Sequence, residues 1–309
     1  MRVAVTGGCG FIGSHVVDHL VRAGHEVLVI DTREQWCNDG AQYLLADLFH
    51  PDSMDEALAG RDAVFHLAGA ADVNDVAADP VRAVRLNVEG VGRVLESARR
   101  QGCGRVVLAS TVWVYGATAG SGERTEDALV DLRKAGHLYV STKLAAEMLM
   151  HSYQQMFGQE FTILRYGIPY GPRMRDALVV AKFVRAAQAG QPITIAGTGD
   201  QHRNFVYVED LAEAHVLALA PAAANQTLAL EGDTPVSVIE IAETVQHLVG
   251  PVPIDHVPGR PADYDGMNIS NRLAKELLNW SPTTPLAEGI RRYLAWLADS
   301  ALMERAVPD

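Results

Sequence analysis

Val3-Ala4-Val5-Thr6-Gly7-Gly8-Cys9-Gly10-Phe11-Ile12-Gly13 opens the chain and decides its fold. A short apolar run of β type, residues 3–5, leads straight into glycines at positions 7, 10 and 13. From Phe11 the pattern becomes helical and is stopped by Gly24. Glycines at this spacing let the backbone turn tightly, let its N–H groups approach a pyrophosphate, and let the helix pack on the strand. The helix N-terminus adds partial positive charge toward phosphate oxygens. A second apolar run, 26–30, ends at Asp31, where a carboxylate can accept both ribose hydroxyls of an adenosine and repel a 2′-phosphate. The stretch therefore predicts a bound dinucleotide, NAD in preference to NADP, with Arg33 as the one feature that favours NADP.

The same grammar continues. Apolar runs at 43–46, 63–67, 105–109 and 161–165 read as strands, and helical patterns at 80–100 and 137–157 lie between them. A further helix opens near Pro51-Asp52-Ser53. The strand runs are near-continuous, so both of their faces should be covered by helices. Strand–helix alternation over more than half the chain predicts right-handed βαβ units and a doubly wound, Rossmann-type α/β fold with a parallel sheet. After Gly171-Pro172, glycine and proline become frequent, and short strands (193–195, 205–208, 228–230) mix with helices at 238–248, capped by Ser237, and 286–297. The expected division is a cofactor-binding domain over 1–168 and a smaller mixed α/β lobe over 169–309 that holds substrate, with a segment of about 200–230 packing back onto the first domain.

Composition narrows the class. The 309 residues are 48% hydrophobic and 21% charged, which is ordinary for a globular chain. The net charge of −12 without a basic block argues against nucleic acid as a partner, and requires locally placed arginines if the ligand is an anion. Cys9, Cys37 and Cys103 form no disulfide framework and no metal-ligand spacing, which fits a reducing compartment. His15 and His19 are one helical turn apart with no third ligand, so no metal is expected. No apolar run reaches the roughly 18 residues of a membrane span, and the N-terminus leads directly into a strand. A cytoplasmic protein is expected.

Tyr139-Val140-Ser141-Thr142-Lys143 places a phenol and an ammonium group at i, i+4 on one helix face. Bringing a tyrosine pKa from about 10 toward neutrality takes roughly 4 kcal/mol. A lysine cation about 5 Å away contributes roughly 3 kcal/mol at an effective dielectric near 20. The positive charge of an oxidised nicotinamide would supply much of the rest.

These residues, together with Asp47-Leu48, His66-Leu67-Ala68-Gly69, Asn87, Ser110-Thr111, Val114-Tyr115-Gly116, Leu164-Arg165-Tyr166, Tyr170-Gly171-Pro172, the run from Arg203 to Asp210 and Arg260-Pro261-Ala262-Asp263, resemble the extended short-chain dehydrogenase/reductase family, in particular its nucleotide-sugar epimerases and dehydratases. The resemblance covers nearly the whole chain. It implies that Tyr139 is the catalytic base and acid, Lys143 its modulator, and Thr111 the group that bonds the reacting sugar hydroxyl. It implies that NAD is held by Gly7, Gly10, Phe11, Ile12, Gly13, Asp31, Asp47, Leu48, Leu67, Ala68, Gly69, Asn87 and Tyr166, along with Tyr139 and Lys143. Substrate contacts fall to Thr111, Arg203, Arg260, Ile168 and Arg173, with Arg203 and Arg260 binding the diphosphate of a nucleotide sugar. A homodimer through helices 81–100 and 137–157 is also implied.

Within that family the dehydratases carry an acid and a base at the two positions after the catalytic threonine, and the sugar-acid decarboxylases carry glutamate at the second of them. Here the two positions hold Val112 and Trp113, which transfer no protons. The 3,5-epimerases need a cysteine where Val112 stands. What remains is transient oxidation and re-reduction at C4, a nucleotide-sugar 4-epimerase. The alternatives are an NAD(P)-dependent 4-ketoreductase, a uronic-acid 4-epimerase in which Arg173 or Arg175 pairs with the sugar carboxylate, and a non-catalytic nucleotide-binding sensor. Ile168 stands where family members commonly place asparagine, and Asn204 where they place aspartate after Arg203.

Overall fold

The computed structural model describes residues 1–34, 38–50, 53–118, 122–259 and 266–306, with only the backbone described for 117 and 301–306. The chain begins β1 (Arg2–Thr6), α1 (Phe11–Arg22), β2 (Glu26–Asp31), β3 (Gln42–Leu45), α2 (Ser53–Leu58), β4 (Ala63–His66), α3 (Val73–Ala78), α4 (Pro80–Val84), α5 (Gly90–Gln101), β5 (Arg105–Thr111), α6 (Leu138–Phe157) and β6 (Glu160–Tyr166). It continues with β7 (Ile168–Tyr170), α7 (Val179–Gln188), β8 (Ile193–Ala196), β9 (His202–Tyr207), α8 (Val208–Leu217), β10 (Gln226–Leu230), β11 (Pro235–Ser237), α9 (Val238–Val249), β12 (Ile254–Val257), α10 (Arg272–Leu278) and α11 (Leu286–Ala306).

The backbone packs as two units. The first takes residues 1–167, 212–230 and 268–281, the second 168–211, 231–267 and 282–309.

In the first unit seven strands form one sheet in the order β10-β6-β5-β4-β1-β2-β3, and every neighbouring pair is parallel. The order reverses at β1, with β2 on one side and β4 on the other, and ligands of such sheets bind at the carboxyl ends beside that switch point. The strands are continuous apolar runs because both faces are covered. On one face Ala4, Ile30, Val64, Val106, Leu108 and Ile163 belong to the same buried cluster as Leu58 of α2, Leu95 and Ala98 of α5, and Met150 of α6. Each fully buried Leu, Ile or Val of this kind contributes about 1.5–3 kcal/mol. On the other face α1 buries Val16, Val17 and Leu20.

Two expected elements differ. The helix expected over 80–100 is interrupted, because residues Arg85–Glu89 form a π-helical turn between α4 and α5. The extra residue of such a turn rotates one side chain inward, and here it buries Asn87, 2% exposed. The strand expected over 205–208 starts earlier and ends at Tyr207, with Val208 opening α8. The helix expected near Pro51-Asp52-Ser53 begins at Ser53, and residues 51 and 52 lie outside the described ones.

In the second unit β9 pairs in parallel with β7 and antiparallel with β11, while β8 and β12 form a separate parallel pair. Helix α9 starts on a capping box: Ser237 Oγ accepts from Glu240 N at 3.2 Å, and Glu240 Oε2 accepts from Ser237 N at 2.6 Å. The carboxylate of Asp210 accepts from the backbone N–H and the hydroxyl of both Thr283 and Thr284, and so fixes the approach to α11. Among the described residues no helix is long and apolar enough to cross a membrane.

Candidate active site

The glycine turn is a cradle that side chains would fill. Gly7 holds φ +72°, and a Cβ there would meet Ala68 N at 2.7 Å, so the β1 turn and the segment after β4 lie in direct backbone contact. A Cβ on Gly13 would stand 2.2 Å from Gly7 O. The turn is closed by Gly7 N donating to Ile30 O at 2.9 Å and Gly10 N donating to Gly7 O at 3.0 Å. Helix α1 starts at Phe11 with Gly10 as N-cap, has no side-chain cap and no acidic residue in its first turn. Its first N–H groups are therefore open to an anion.

Asp31 closes the far side. Its Oδ2 accepts from Cys9 N at 3.0 Å and its Oδ1 from Arg33 N at 3.1 Å and Arg33 Nε at 3.4 Å. A carboxylate offers about four acceptor positions, so Oδ2 retains capacity for a ribose hydroxyl. Asp31 lines a cavity of about 330 Å³ with Cys9, Arg33, Glu34, Tyr43, Leu44 and Leu45. Cradle, uncapped helix end and carboxylate-lined cavity suit the phosphates and adenosine half of a dinucleotide. Asp47 turns inward on its own chain, Oδ1 accepting from Phe49 N at 3.0 Å, and Leu48 is buried.

Next to the cradle, α6 carries Tyr139 and Lys143, and Lys143 reaches β5, whose last residue is Thr111. Thr111 ends β5, where its Oγ1 accepts from Trp113 N at 3.2 Å and caps the 3-10 turn Val112–Ala117. Lys143 Nζ is buried and donates to Ala109 O at 2.9 Å. It lies 6.0 Å from the centroid of the Tyr139 ring. Burial pushes the Lys143 ammonium down to about 8, and the Glu147 carboxylate opposes that shift. A cation this close to the ring favours ionisation of the phenol, an effect of roughly 3 kcal/mol for charges about 6 Å apart at an effective dielectric near 20.

Asn87 ties the two regions. Its Oδ1 accepts from Ala70 N at 2.8 Å, and its Nδ2 donates to Ala70 O at 2.9 Å and to Thr142 Oγ1 at 3.0 Å. Thr142 Oγ1 in turn donates to Tyr139 O at 2.8 Å. The segment Leu67-Ala68-Gly69 is thereby strapped to the first turn of α6. His66, at the end of β4, bonds Thr6 Oγ1 through Nδ1 at 2.7 Å, and burial, aided by the Lys143 charge, holds it down at about 3, so it is neutral.

His137, Glu147 and His215, which the sequence pattern did not single out, lie around these residues. His137 stacks on Tyr139 with ring centroids 6.1 Å apart, and Trp113, 40% exposed, sets its ring edge-on to His137 at 5.2 Å. Glu147 continues the series Tyr139, Lys143 by one more turn, a spacing visible in the sequence. The Tyr166 hydroxyl bonds His215 Nε2 at 2.5 Å, both side chains buried, and no local signal links residues 49 apart.

The remaining expected contacts belong to the second unit. Ile168 opens β7. Arg203 sits in β9, its Nη1 donating to His202 O at 2.7 Å. Arg173 follows Tyr170-Gly171-Pro172 at φ 63°, a left-handed conformation rare for a non-glycine residue. Arg260 lies outside the described residues.

A parallel sheet, a glycine cradle with an acid after the second strand, and a Tyr–Lys pair on the helix before β6 are the features of a dinucleotide-dependent enzyme. The chain belongs to the NAD dependent epimerase/dehydratase family, which matches residues 3–229. UDP-glucuronic acid decarboxylase 6 of Arabidopsis thaliana is 33% identical over 94% of this chain and 87% of its own length. The structure of UDP-glucose 4-epimerase from Thermotoga maritima, with UDP-glucose, superposes with a TM-score of 0.89 at 27% identity, covering 97% of this chain and 100% of that one. UDP-glucuronic acid 4-epimerase from Bacillus cereus, in complex with UDP-glucuronic acid and NAD, gives a TM-score of 0.86 at 26% identity over 97% and 100%.

Proposed function

We propose that the protein is an NAD-dependent nucleotide-sugar 4-epimerase. The observation that carries this reading is the surroundings of Tyr139. Lys143 Nζ lies 6.0 Å from the Tyr139 ring centroid, Thr111 ends the neighbouring strand, and the position two beyond the threonine holds Trp113, whose ring stands against His137. No carboxyl group stands at Val112 or Trp113 to assist loss of water or of carbon dioxide, so the chemistry reduces to proton transfer at one hydroxyl and redox at its carbon.

Gly7, Gly10, Phe11, Ile12, Gly13 and Asp31 would hold the adenosine and phosphates of NAD. Leu67, Ala68 and Gly69 would line its path, and Tyr166 and Lys143 would border its nicotinamide end. NAD bound there would supply the oxidation and reduction at C4 of the sugar. Tyr139 takes the proton of the 4-hydroxyl, with the Thr111 hydroxyl as bridge, and returns it at the end. Lys143 stabilises the phenolate between those events. Asn87 uses its side chain on Ala70 and Thr142, so its part is to hold the cofactor segment and the base in register.

The first domain, taken as 1–168 with the return of a later segment, would carry NAD, and the lobe from 169 onward the nucleotide sugar, through Arg203 and Arg260, with Ile168 at the boundary. A homodimer is supported by the exposed apolar residues Val81, Val84, Met148, Met156 and Phe157 on the helices expected to pair. Three cysteines with no paired spacing in the sequence support a cytoplasmic enzyme. The uronic-acid form of the reading is favoured by Arg173, held in its left-handed conformation directly after the Tyr-Gly-Pro turn.

The test is incubation of purified protein and NAD⁺ with UDP-glucose and, separately, UDP-glucuronic acid. A 4-epimer should form from at least one of them. Tyr139→Phe should lower turnover by about 10²–10⁴, the range of general acid–base catalysis. Release of carbon dioxide and a UDP-pentose, or unchanged turnover in Tyr139→Phe, overturns the reading.

A further inference from the structure

Helix α6 carries a third polar group on the face of Tyr139 and Lys143. Glu147 lies one further turn along and is buried, 5% exposed. Its carboxylate spans two strands. Oε1 accepts from Ser110 Oγ at 2.5 Å and from Arg165 Nε at 3.1 Å, while Oε2 accepts from Arg165 Nη2 at 2.7 Å. Ser110 immediately precedes Thr111 on β5, and Arg165 immediately precedes Tyr166 on β6. The strand register sets Ser110 opposite Arg165 and Thr111 opposite Tyr166. One carboxylate therefore fastens the helix that bears the base to the two strand ends beside it. A two-pronged guanidinium–carboxylate pair permits little sliding, so the height of α6 above the sheet is set there.

The same group balances charge. Lys143 is faced by Tyr139 and Glu147 from its own helix, by the Ala109 carbonyl from β5, by neutral His66 from β4, and by the Gly69 backbone beside Asn87. Glu147 is the anion that acts on it, and it works against the burial that weakens its hold on the proton. Arg165, which burial would otherwise discharge more easily, is held charged by the same carboxylate.

We propose that Glu147 is a positioning residue for the Tyr139–Lys143 pair, balancing the buried ammonium and fixing the helix to the threonine-bearing strand. This rests on the reading of Tyr139 as the base. Glu147→Gln is compared with the unaltered protein, both labelled with ¹⁵N-lysine and examined with and without NAD⁺. The Lys143 Nζ resonance, assigned through Lys143→Arg, is titrated against pH. Its midpoint should fall by about one to two pH units, a ten- to hundredfold loss of proton affinity, as expected for removing a charge one helical turn away. The alkaline limb of kcat should move with it, while KM changes little.

Because Glu147→Gln strands a buried guanidinium, the double variant Glu147→Gln/Arg165→Met is measured as well. It should regain melting temperature and keep the displaced Lys143 titration. A Lys143 midpoint unchanged in folded Glu147→Gln overturns the proposal, as does a double variant that regains the pH profile along with stability. Tyr139→Phe, run beside these, fails or holds independently of the lysine titration, so a fault in the base assignment is separable from a fault here.

Discussion

Replacing Gly13 with alanine adds one methyl group at the tightest point of the cradle. Its carbon would stand 2.2 Å from Gly7 O, 0.8 Å inside the 3.0 Å that real Cβ atoms keep. The obstacle is backbone on both sides, so no side chain can swing away. The Gly7–Gly10 turn must move by close to an ångström, which strains Gly10 N→Gly7 O at 3.0 Å and Ser14 N→Gly10 O at 2.9 Å. Overpacking of this kind costs about 1–3 kcal/mol and a weakened backbone hydrogen bond about 1 kcal/mol more. For a chain of 309 residues that lowers the melting temperature by about 3–6 °C. NAD⁺ binding should weaken at least tenfold, ~1.4 kcal/mol, through misplaced N–H groups at the start of α1. The control is Gly92→Ala in α5, where an added Cβ meets nothing within 4 Å; it should gain about 0.5–1 kcal/mol. Thermal unfolding and calorimetric NAD⁺ titration read both variants. If Gly13→Ala melts within about 1 °C of the parent and binds NAD⁺ within about twofold, the cradle argument is refuted.

Two further outcomes follow from buried groups. Lys143 titrates at about 8 in the folded chain against 10.5 when free. The unfolded chain thus binds the extra proton across that window, and stability rises with pH between those values. Below about 8 the full cost of the buried charge is present. Lys143→Met removes that cost, about 3 kcal/mol at pH 7, but leaves the Ala109 carbonyl without its donor at about 1 kcal/mol. It should therefore stabilise the protein by about 2 kcal/mol while abolishing turnover, and a variant that is both inactive and less stable contradicts this. His66 is held down at about 3 from 6.5, so the unfolded chain takes up a proton that the folded chain refuses, and stability falls as the pH drops from 6.5 toward 3. Between pH 7 and pH 5 the parent should lose about 2 kcal/mol more than His66→Gln in denaturant unfolding, and equal losses would remove His66 from the acid sensitivity.

The long-range layout was legible where burial makes the pattern. Strands β1, β2, β4, β5 and β6 are apolar almost throughout because helices cover both faces, so they stand out as runs. β7, β11 and β12 are only three or four residues long, half exposed in part, and leave no such trace. The π-helical turn at Arg85–Glu89 is invisible to a period of 3.6, since one inserted residue shifts the apolar face without breaking it. At the site, Tyr139 and Lys143 are local in sequence and were readable as a pair. Glu147 was equally local but is silent by itself, because its meaning comes from Ser110 and Arg165, 37 and 18 residues away. The contact of Tyr166 with His215 depends on how α8 lies against the sheet, which no window of sequence contains.

The strand β10 occupies the edge of the seven-stranded sheet, hydrogen-bonded to β6. As the chain leaves the ribosome, β6 is complete some sixty residues earlier than its neighbour, with Phe161, Ile163 and Leu164 all destined for the interior. Through that interval a greasy, unpaired edge faces the cell, the kind of surface on which nascent chains join one another. Any truncation before Gln226 makes that interval permanent, so shortened forms of this protein are candidates for inclusion bodies rather than for soluble cofactor-binding fragments.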